Sequence, residues 1–201
     1  MSQKIITVFG ATGLQGGSVL KTLIKSDEFI VRAITRNAKS DKAMQLATLK
    51  NVTVQEADLN DRPSIDKCIK GSYGTFLVTD LALDEKTSKE TQQGFNLIDS
   101  AVKNKISHVI FSGMDNASLT INKPCIHMDN KEKIEEYGMK KRDKINFTSL
   151  RLPMYYQVVP GLFAKKVTPN EFILTLPMSD KPVYCNLKSL KIFIYSNFIL
   201  I

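Results

Sequence analysis

Cysteine and histidine are scarce in this sequence. Its 201 residues include three cysteines, Cys68, Cys125 and Cys185, and two histidines, and no Cys-x-x-Cys pair occurs. An odd number of widely spaced cysteines with few histidines nearby argues against a disulfide framework and against a zinc site. We therefore expect free thiols in a reducing compartment and no bound metal.

Long apolar runs are also lacking. The N-terminus enters a predicted strand almost at once, so we expect no signal peptide. The most apolar segment, residues 192–201, is too short to span a bilayer. No internal repeat or low-complexity segment occurs. We expect a protein that does not associate with membranes.

Basic residues outnumber acidic ones, which raises the question of nucleic-acid binding. The formal net charge is +8 at pH 7, and the isoelectric point is near 9.3. The lysines are scattered, however, and the densest cluster is only Lys140-Lys141-Arg142. Such a cluster is more typical of a solvated surface, with a general attraction for anionic ligands, than of a DNA-binding face. We expect no direct contact with nucleic acid.

A glycine-rich motif stands between a predicted strand and a predicted helix near the N-terminus. Residues 5–9 form an apolar run typical of a buried parallel strand, and residues 18–24 have helical periodicity. Gly10 permits a tight turn, Gly13 lets the backbone approach a pyrophosphate, and Gly16 lets the helix pack closely against the sheet. Because a helix N-terminus favours anions, this context predicts a dinucleotide-binding loop.

Further strands alternate with helices along the chain. The patterns predict strands at residues 29–35, 52–55, 74–79, 108–112 and 147–152, and helices at residues 39–49, 62–69 and 85–103. Asp61 is the expected N-cap of the second of these helices. The alternation predicts an α/β fold, a Rossmann-type doubly wound parallel sheet with helices on both faces.

The carboxyl ends of the strands are where such a sheet binds its ligand. The strand ends expected to surround one crevice are Gly10, Arg36, Asp58-Leu59, Thr79-Asp80, Ser112-Gly113 and Pro153. At the end of the second strand, a carboxylate would bind the ribose 2′-hydroxyl of NAD, whereas an arginine can bind a 2′-phosphate. Thr35-Arg36-Asn37 offers no acid there, and Arg36, helped by Lys39, can pair with phosphate. This favours NADP(H); the alternative is that Arg36 is merely an exposed strand-end residue.

Four segments together resemble the NmrA-like family, an atypical branch of the short-chain dehydrogenase/reductase superfamily, and within it the animal redox-sensor members. The segments are residues 8–19, 35–37, 112–116 and 131–137, and the resemblance extends over about residues 4–182. It implies an NADP(H)-binding Rossmann protein of the cytoplasm and the nucleus that senses the NADPH/NADP ratio. Such a protein regulates partner proteins, including in transcriptional regulation, and has no demonstrated oxidoreductase chemistry.

The resemblance also implies which residues bind the cofactor. The matching positions are Gly10, Ala11, Thr12, Gly13, Leu14, Gln15, Arg36, Asp58, Leu59, Thr79, Lys131 and Tyr155. Asp58 and Leu59 are expected to border the adenine. Two departures from the family pattern, Gln92 for a lysine and residues 156–158 for Phe-Glu-Asn, are expected to weaken contacts near the nicotinamide. The Rossmann domain is expected at residues 1–153, and residues 154–201 are expected to be an incomplete, smaller C-terminal region that binds substrate or partner.

A working reductase of this superfamily needs a tyrosine and a lysine one helical turn apart. The lysine charge lowers the pKa of the phenol, which can then pass a proton to or from the substrate. Tyr137 and Lys141 have this spacing, but too few residues follow Lys141 before the sixth strand for the helix to continue. The pair His127 and Lys131 leaves enough room, which places His127 where the tyrosine is needed.

His127 has two interpretations. It could act as a substitute general acid, but imidazole has a shorter reach than a phenol, and a polar residue in a loop is the favoured interpretation. Ser112 likewise could orient a substrate carbonyl or simply satisfy the backbone at a turn. We therefore predict no catalytic residue.

Three hypotheses about function remain. The first is a non-catalytic NADP(H)-binding regulator that acts on protein partners through a mobile loop at residues 116–125; a homodimer is compatible with it. The second is an NADPH-dependent reductase that uses His127 or Tyr137. The third is a shortened chain that folds poorly because its apolar C-terminal segment stays exposed.

Overall fold

The apolar strands of the sequence assemble into one parallel sheet. The computed structural model describes residues 2–80 and 89–152, with the backbone alone at residues 120–121 and in four later strands. The six strands of the sheet are β1 Lys4–Val8, β2 Phe29–Thr35, β3 Val52–Glu56, β4 Gly74–Leu77, β5 His108–Gly113 and β6 Asn146–Arg151. They lie in the order β3-β2-β1-β4-β5-β6, and every pairing is parallel. The predicted doubly wound sheet is confirmed.

Helices cover both faces of this sheet. They are α1 Leu14–Leu23, α2 Asp41–Ala47, α3 Arg62–Ile69, α4 Glu90–Lys103, α5 Ala117–Ile121 and α6 Ile126–Met139. Leu20 of α1 belongs to one apolar cluster with Phe76 of β4. Leu97 of α4 and Ile134 of α6 belong to a second cluster with Leu77 of β4. Since neighbouring strand residues point to opposite faces, the two clusters are the cores of the two faces.

Strand order reverses between β1 and β4. From β1 the sheet grows through β2 to β3 at one edge, and the chain then returns to add β4 on the other side of β1. In such sheets a ligand crevice opens outside the carboxyl ends of the strands at the reversal. The segments that follow β1 and β4, Phe9-Gly10 and Val78-Thr79, are therefore the ones that frame it.

The predicted start of α1 was wrong, whereas the predicted bounds of α3 and its N-cap Asp61 are confirmed. Helix α1 begins at Leu14 rather than at residue 18, because glycines that lower helix propensity hide its first turn from a pattern search. Asp61 occupies the N-cap position of α3 but makes no capping bond with its side chain. Instead, the Ser64 hydroxyl donates to the Asp61 carbonyl at 2.7 Å.

The segment at residues 116–125, predicted to be a mobile loop, contains a short helix, so its lack of regular structure was predicted wrongly, while its response to the cofactor stays a prediction. Helix α5 covers five of these residues, with Asn116 as its N-cap: Asn116 Oδ1 accepts a hydrogen bond from Leu119 N at 2.8 Å. Asn122 ends the helix with φ +51°. A helix this short has no periodicity to detect, and its polar capping residues resemble those of a loop.

Asp129 of α6 connects α5 to the start of α6. Its carboxylate accepts hydrogen bonds from Ser118 N at 3.3 Å, from Ser118 Oγ at 2.9 Å and from Cys125 N at 3.0 Å. Desolvation raises the pKa of Asp129, but these hydrogen bonds outweigh it and hold the pKa below its ordinary value. The ionised carboxylate therefore ties the α5 segment to α6 at neutral pH.

The chain divides into two compact units, Met1–Arg151 and Leu152–Ile201. Four short strands are described in the second unit: β7 Ala164–Thr168, β8 Glu171–Leu174, β9 Phe193–Tyr195 and β10 Phe198–Leu200. They form two antiparallel pairs, β7 with β8 and β9 with β10.

Candidate functional site

The turn between β1 and α1 has the geometry of an anion-binding loop. Gly10 has φ +64°, a conformation that suits glycine. Gly13 N donates to Gly10 O at 2.9 Å, and Gly13 is the N-cap of α1. A Cβ added at Gly16 would lie 2.4 Å from Gly10 O, so the helix approaches the turn as closely as backbone allows. The free amides of the first turn of α1 therefore lie next to the end of β1.

A cavity of about 300 Å³ lies at the carboxyl ends of β1 to β4. It is lined by residues in or just after these strands: Phe9, Gly10, Thr12, Ile34, Thr35, Arg36, Asn37, Ala57, Asp58, Leu59, Val78, Thr79 and Asp80. Its position coincides with the reversal of strand order, where a Rossmann sheet binds its ligand.

The predicted site residues divide into those that line the cavity and those that do not. Gly10, Thr12, Arg36, Asp58, Leu59 and Thr79 line it. Ala11 is buried, Gly13 is the N-cap of α1, and Leu14 and Gln15 begin α1, with Leu14 exposed. Ser112 and Gly113 at the end of β5 do not line the cavity. Tyr155 and Pro153 lie outside the described residues.

Arg36 has a carboxylate beside it. Its Nη1 lies 3.2 Å from Asp80 Oδ2, and both side chains are exposed by more than half. The sequence had indicated no acid at the end of β2, and none is present in β2 itself. The acid comes instead from the end of β4, which topology brings to the same cavity.

The loop after β3 is fixed to its surroundings. Asp58 Oδ1 accepts hydrogen bonds from the backbone and the side-chain nitrogen of Asn60, each at 2.8 Å. The Leu59 carbonyl accepts a hydrogen bond from Asn96 Nδ2 of α4 at 2.9 Å. Asp58 and Leu59 are therefore held at the edge of the cavity, where an adenine is expected.

Lys131 is held behind the cavity in a buried polar cluster. Its Nζ lies 2.9 Å from Glu90 Oε1 and donates to Thr79 Oγ1 at 2.9 Å. Thr79 Oγ1 donates in turn to Glu90 Oε1 at 2.7 Å. All three residues are buried, with 7% of Lys131 and 2% of Glu90 exposed. Thr79 is therefore the member of this cluster that reaches the cavity wall.

The Tyr137 hydroxyl is hydrogen-bonded to Asp99 and is not paired with Lys131. Its hydroxyl donates to Asp99 Oδ1 of α4 at 2.6 Å, and its ring stacks on Phe95 with centroids 4.2 Å apart. The hydrogen bond to Asp99, desolvation and the charge of that carboxylate raise the pKa of Tyr137 to about 12. Helix α6 ends at Met139, and Lys141 lies beyond it. Tyr137 thus has a raised pKa rather than the lowered pKa of a catalytic phenol.

His127 lies one turn before Lys131 in α6 and so on the same helix face. It belongs to the helix and not to a loop, which corrects the favoured interpretation of its surroundings. Its Nδ1 lies 3.4 Å from the sulfur of Cys125, and the imidazole is half-buried. Gln92, which replaces a family lysine, is exposed on α4 and donates to Asn96 Oδ1 at 2.8 Å.

The residues present fit a dinucleotide. The turn at Gly10 leaves no room for side chains, and the first-turn amides of α1 suit a pyrophosphate. Ala57 and Leu59 supply an apolar border for a base, and Arg36 supplies a planar cation for a phosphate. The buried Gln15 Oε1 has no hydrogen-bond partner among the described residues, so an acceptor remains free beside the turn.

Three polar residues of the site escaped sequence analysis. Asp80 was placed at the crevice but was given no role, while Glu90 and Gln93 were not considered. A signal existed, because Glu90, Gln93, Leu97 and Ala101 follow helical spacing and all are buried in α4. Two polar residues on an otherwise apolar helix face indicate buried hydrogen bonds near the start of that helix.

The described part of the chain contains no candidate metal site and no candidate membrane-spanning helix. No group of three or more His, Cys, Asp or Glu side chains there is arranged to hold a metal ion. No helix there has both the length and the hydropathy to cross a bilayer. Cys68 and Cys125 are free thiols, and burial raises the pKa of Cys68 to about 12.

Known proteins share both the sequence pattern and the fold. Residues 2–193 match the NmrA-like family. The NmrA-like family domain-containing oxidoreductase lnaB of Aspergillus flavus is 32% identical over 175 residues, which cover 83% of this chain and 51% of lnaB. The crystal structure of NmrA, a negative transcriptional regulator, in complex with NAD is 25% identical, with a TM-score of 0.69 over 82% of this chain and 50% of that chain.

Two further structures contain a phosphorylated cofactor. NmrA in complex with NADP is 27% identical, with a TM-score of 0.62 over 74% of this chain and 45% of that chain. Citrobacter sp. triphenylmethane reductase complexed with NADP(H) is 25% identical, with a TM-score of 0.64 over 76% and 50% of the respective chains. The present chain spans about half the length of the curated relatives it matches. Its closer likeness to animal members stays a prediction. The chain belongs to the NmrA-like family.

Proposed function

We propose that this chain binds NADP(H) in the cavity at the carboxyl ends of β1 to β4. The proposal is supported by the glycine turn, the first-turn amides of α1 and the guanidinium of Arg36, which together match the parts of a phosphorylated dinucleotide. It is supported as well by NmrA, which has been crystallised with NADP and with NAD. In this arrangement Thr79 would contact the cofactor, with Lys131 behind it.

Arg36→Ala is expected to weaken NADP(H) binding by about tenfold or more, because charge-assisted hydrogen bonds to phosphate are worth about 1.5–3 kcal/mol. Binding of NAD(H), which has no 2′-phosphate, should change by less than about threefold. Isothermal titration calorimetry measures both. Arg62→Ala is the control, since it removes a guanidinium that also forms an ion pair, with Asp99, and does not line the cavity; its side chain is 45% exposed, against 68% for Arg36. An equal loss for NAD(H), or for the control, would contradict the role of Arg36.

We propose further that the chain is a regulator that responds to NADP(H) and does not turn the cofactor over. One observation carries this proposal: Lys131 is fixed by Glu90 and Thr79, and no described tyrosine lies beside it. Of the two tyrosines whose side chains are described, Tyr137 donates a hydrogen bond to Asp99 and Tyr73 lies at the amino end of β4. The phenol that this superfamily uses as its proton donor is thus not supplied by the described residues.

A regulator needs an element whose conformation depends on the cofactor. The segment at residues 116–125 supports this role, because it joins β5 to α6 and is tied to α6 through Asp129. We expect NADP(H) to change amide hydrogen exchange in this segment, while the core strand β1 stays protected. Exchange that is the same with and without a saturating cofactor would exclude this segment as the responsive element.

The alternative is an NADPH-dependent reductase, in which the cofactor would supply a hydride. The name of lnaB as an oxidoreductase favours it, as does the position of His127 on the same face of α6 as Lys131. NADPH oxidation with a panel of carbonyl compounds separates the two candidates. We expect no oxidation above the rate without protein; turnover that disappears in His127→Ala would establish the reductase instead.

Regulatory protein partners complete the proposal, and a homodimer is compatible with it. The expected location is the cytoplasm and the nucleus. Because the chain spans about half the length of its relatives, affinity purification should use this 201-residue chain, with NADPH and with NADP in parallel. Partners retained with one redox form and lost with the other are the expected result. Retention of the same proteins with either form would contradict a sensor.

A further inference from the structure

Asp80 occupies the position from which a carboxylate can compete with a phosphate for Arg36. Its Oδ2 accepts a hydrogen bond from Arg36 Nη1 at 3.2 Å, and both residues line the cavity. The two side chains come from the ends of β4 and β2, on either side of β1. The guanidinium expected to bind the 2′-phosphate is therefore already paired with an anion.

Gln93 holds Asp80 in this position. The Gln93 side chain is 4% exposed; its Oε1 accepts a hydrogen bond from Asp80 N at 3.2 Å, and its Nε2 donates to Asp80 Oδ2 at 3.2 Å. A buried amide thus contacts both the backbone and the carboxylate of Asp80. The carboxylate is placed by the core of the protein and does not depend on Arg36 alone.

The charge of the cavity differs from that of the whole chain. The chain carries a formal +8, yet the charged residues that line the cavity are one cation, Arg36, and two anions, Asp58 and Asp80. A 2′-phosphate would bring two more negative charges next to Asp80, whereas a ribose 2′-hydroxyl could donate a hydrogen bond to a carboxylate. The charges that line the cavity therefore favour NADP(H) binding less than Arg36 alone would.

We propose that Asp80 is a specificity-determining residue that limits the preference of this site for NADP(H) and lets it accept NAD(H) as well. The inference rests on the proposed binding of NADP(H) in this cavity. Asp80 acts in two ways: it pairs with the guanidinium that the 2′-phosphate needs, and it offers an acceptor to the unphosphorylated ribose. Since the ion pair is exposed by more than half, its effect is a few-fold change in affinity and not a complete switch.

Asp80→Asn tests the proposal, because asparagine keeps an oxygen for Gln93 Nε2 while losing the charge. We expect the affinity for NADP to rise about three- to fivefold and the affinity for NAD to stay the same or fall. The wild-type affinities for NADP and NAD should lie within about tenfold of each other. Calorimetric titration with each cofactor measures these values, and thermal unfolding checks that the variant folds.

Asp27→Asn is the matched control. It removes the same charge from another exposed ion pair, with Lys50, at the amino end of β2 and so at the opposite end of that strand from Arg36. The role of Asp80 is overturned, and the proposed function stands, if the wild type binds but the ratio of its affinities for NADP and NAD changes by less than twofold in Asp80→Asn. An equal change of this ratio in Asp27→Asn would have the same meaning. If folded wild type binds neither cofactor, the proposed function fails, and this inference fails with it.

Discussion

Replacing Lys131 with methionine is expected to lower the free energy of unfolding by about 3–5 kcal/mol. The Lys131 and Glu90 side chains are 8% and 1% exposed, and their charged atoms are 2.9 Å apart. Methionine has a similar length but no charge, so the Glu90 carboxylate would stay buried without this cation. Chemical denaturation of the wild type and the variant measures the loss.

Lys103→Met is the matched control for this experiment. Lys103 Nζ lies 2.6 Å from Asp66 Oδ2, but the lysine side chain is 66% exposed, and such pairs contribute about 1 kcal/mol or less. Adding Glu90→Gln to Lys131→Met should restore much of the stability, because the pair then loses both charges. Equal, small losses in the two lysine variants would show that burial of the Lys131–Glu90 pair has no energetic consequence.

Gly16→Ala is expected to lower the free energy of unfolding by about 2–3 kcal/mol and to abolish nucleotide binding. The added Cβ would lie 2.4 Å from Gly10 O and 2.7 Å from Phe9 O. These are backbone atoms, which cannot rotate away as a side chain can. Either α1 or the turn after β1 must therefore move, and the first-turn amides move with them.

The neighbouring Gly17→Ala supplies the control. Its Cβ would lie 3.2 Å from Ala11 O, a contact that a small shift relieves, and alanine favours a helix by about 1 kcal/mol over glycine. We expect Gly17→Ala to change stability by less than about 1 kcal/mol and to retain NADPH binding. A Gly16→Ala protein with wild-type stability and affinity would refute the close packing at this turn.

The alternation of strands and helices could be predicted because each element carries its own period. Strand β2 was predicted with the bounds that the structure has, since its apolar run ends abruptly at Arg36. The glycine turn was predictable for a similar reason, because Gly10 and Gly16 are needed by local backbone geometry. Such features depend on residues close together in the sequence.

The interactions of the site could not be predicted in the same way. Asp80 meets Arg36, and Glu90 meets Lys131, only through pairings between elements distant in the chain. A lone acid at a strand end, or a glutamate in the first turn of a helix, is ordinary on a surface. Only the strand order, for Asp80, and the packing of α4 against α6, for Glu90, show that these acids face the two cations. The short helix α5 was missed because its stability depends on caps and on Asp129 rather than on an apolar face.

We propose above all that the cavity at the carboxyl ends of β1 to β4 binds NADP(H). Calorimetric titration of the purified chain with NADPH, NADP, NADH and NAD tests it most directly. We predict binding of one molecule of NADPH or NADP per chain with a dissociation constant in the micromolar range, weakened by Arg36→Ala. A folded chain that binds none of the four, or that binds NADPH with unchanged affinity in the Arg36→Ala variant, would contradict the account.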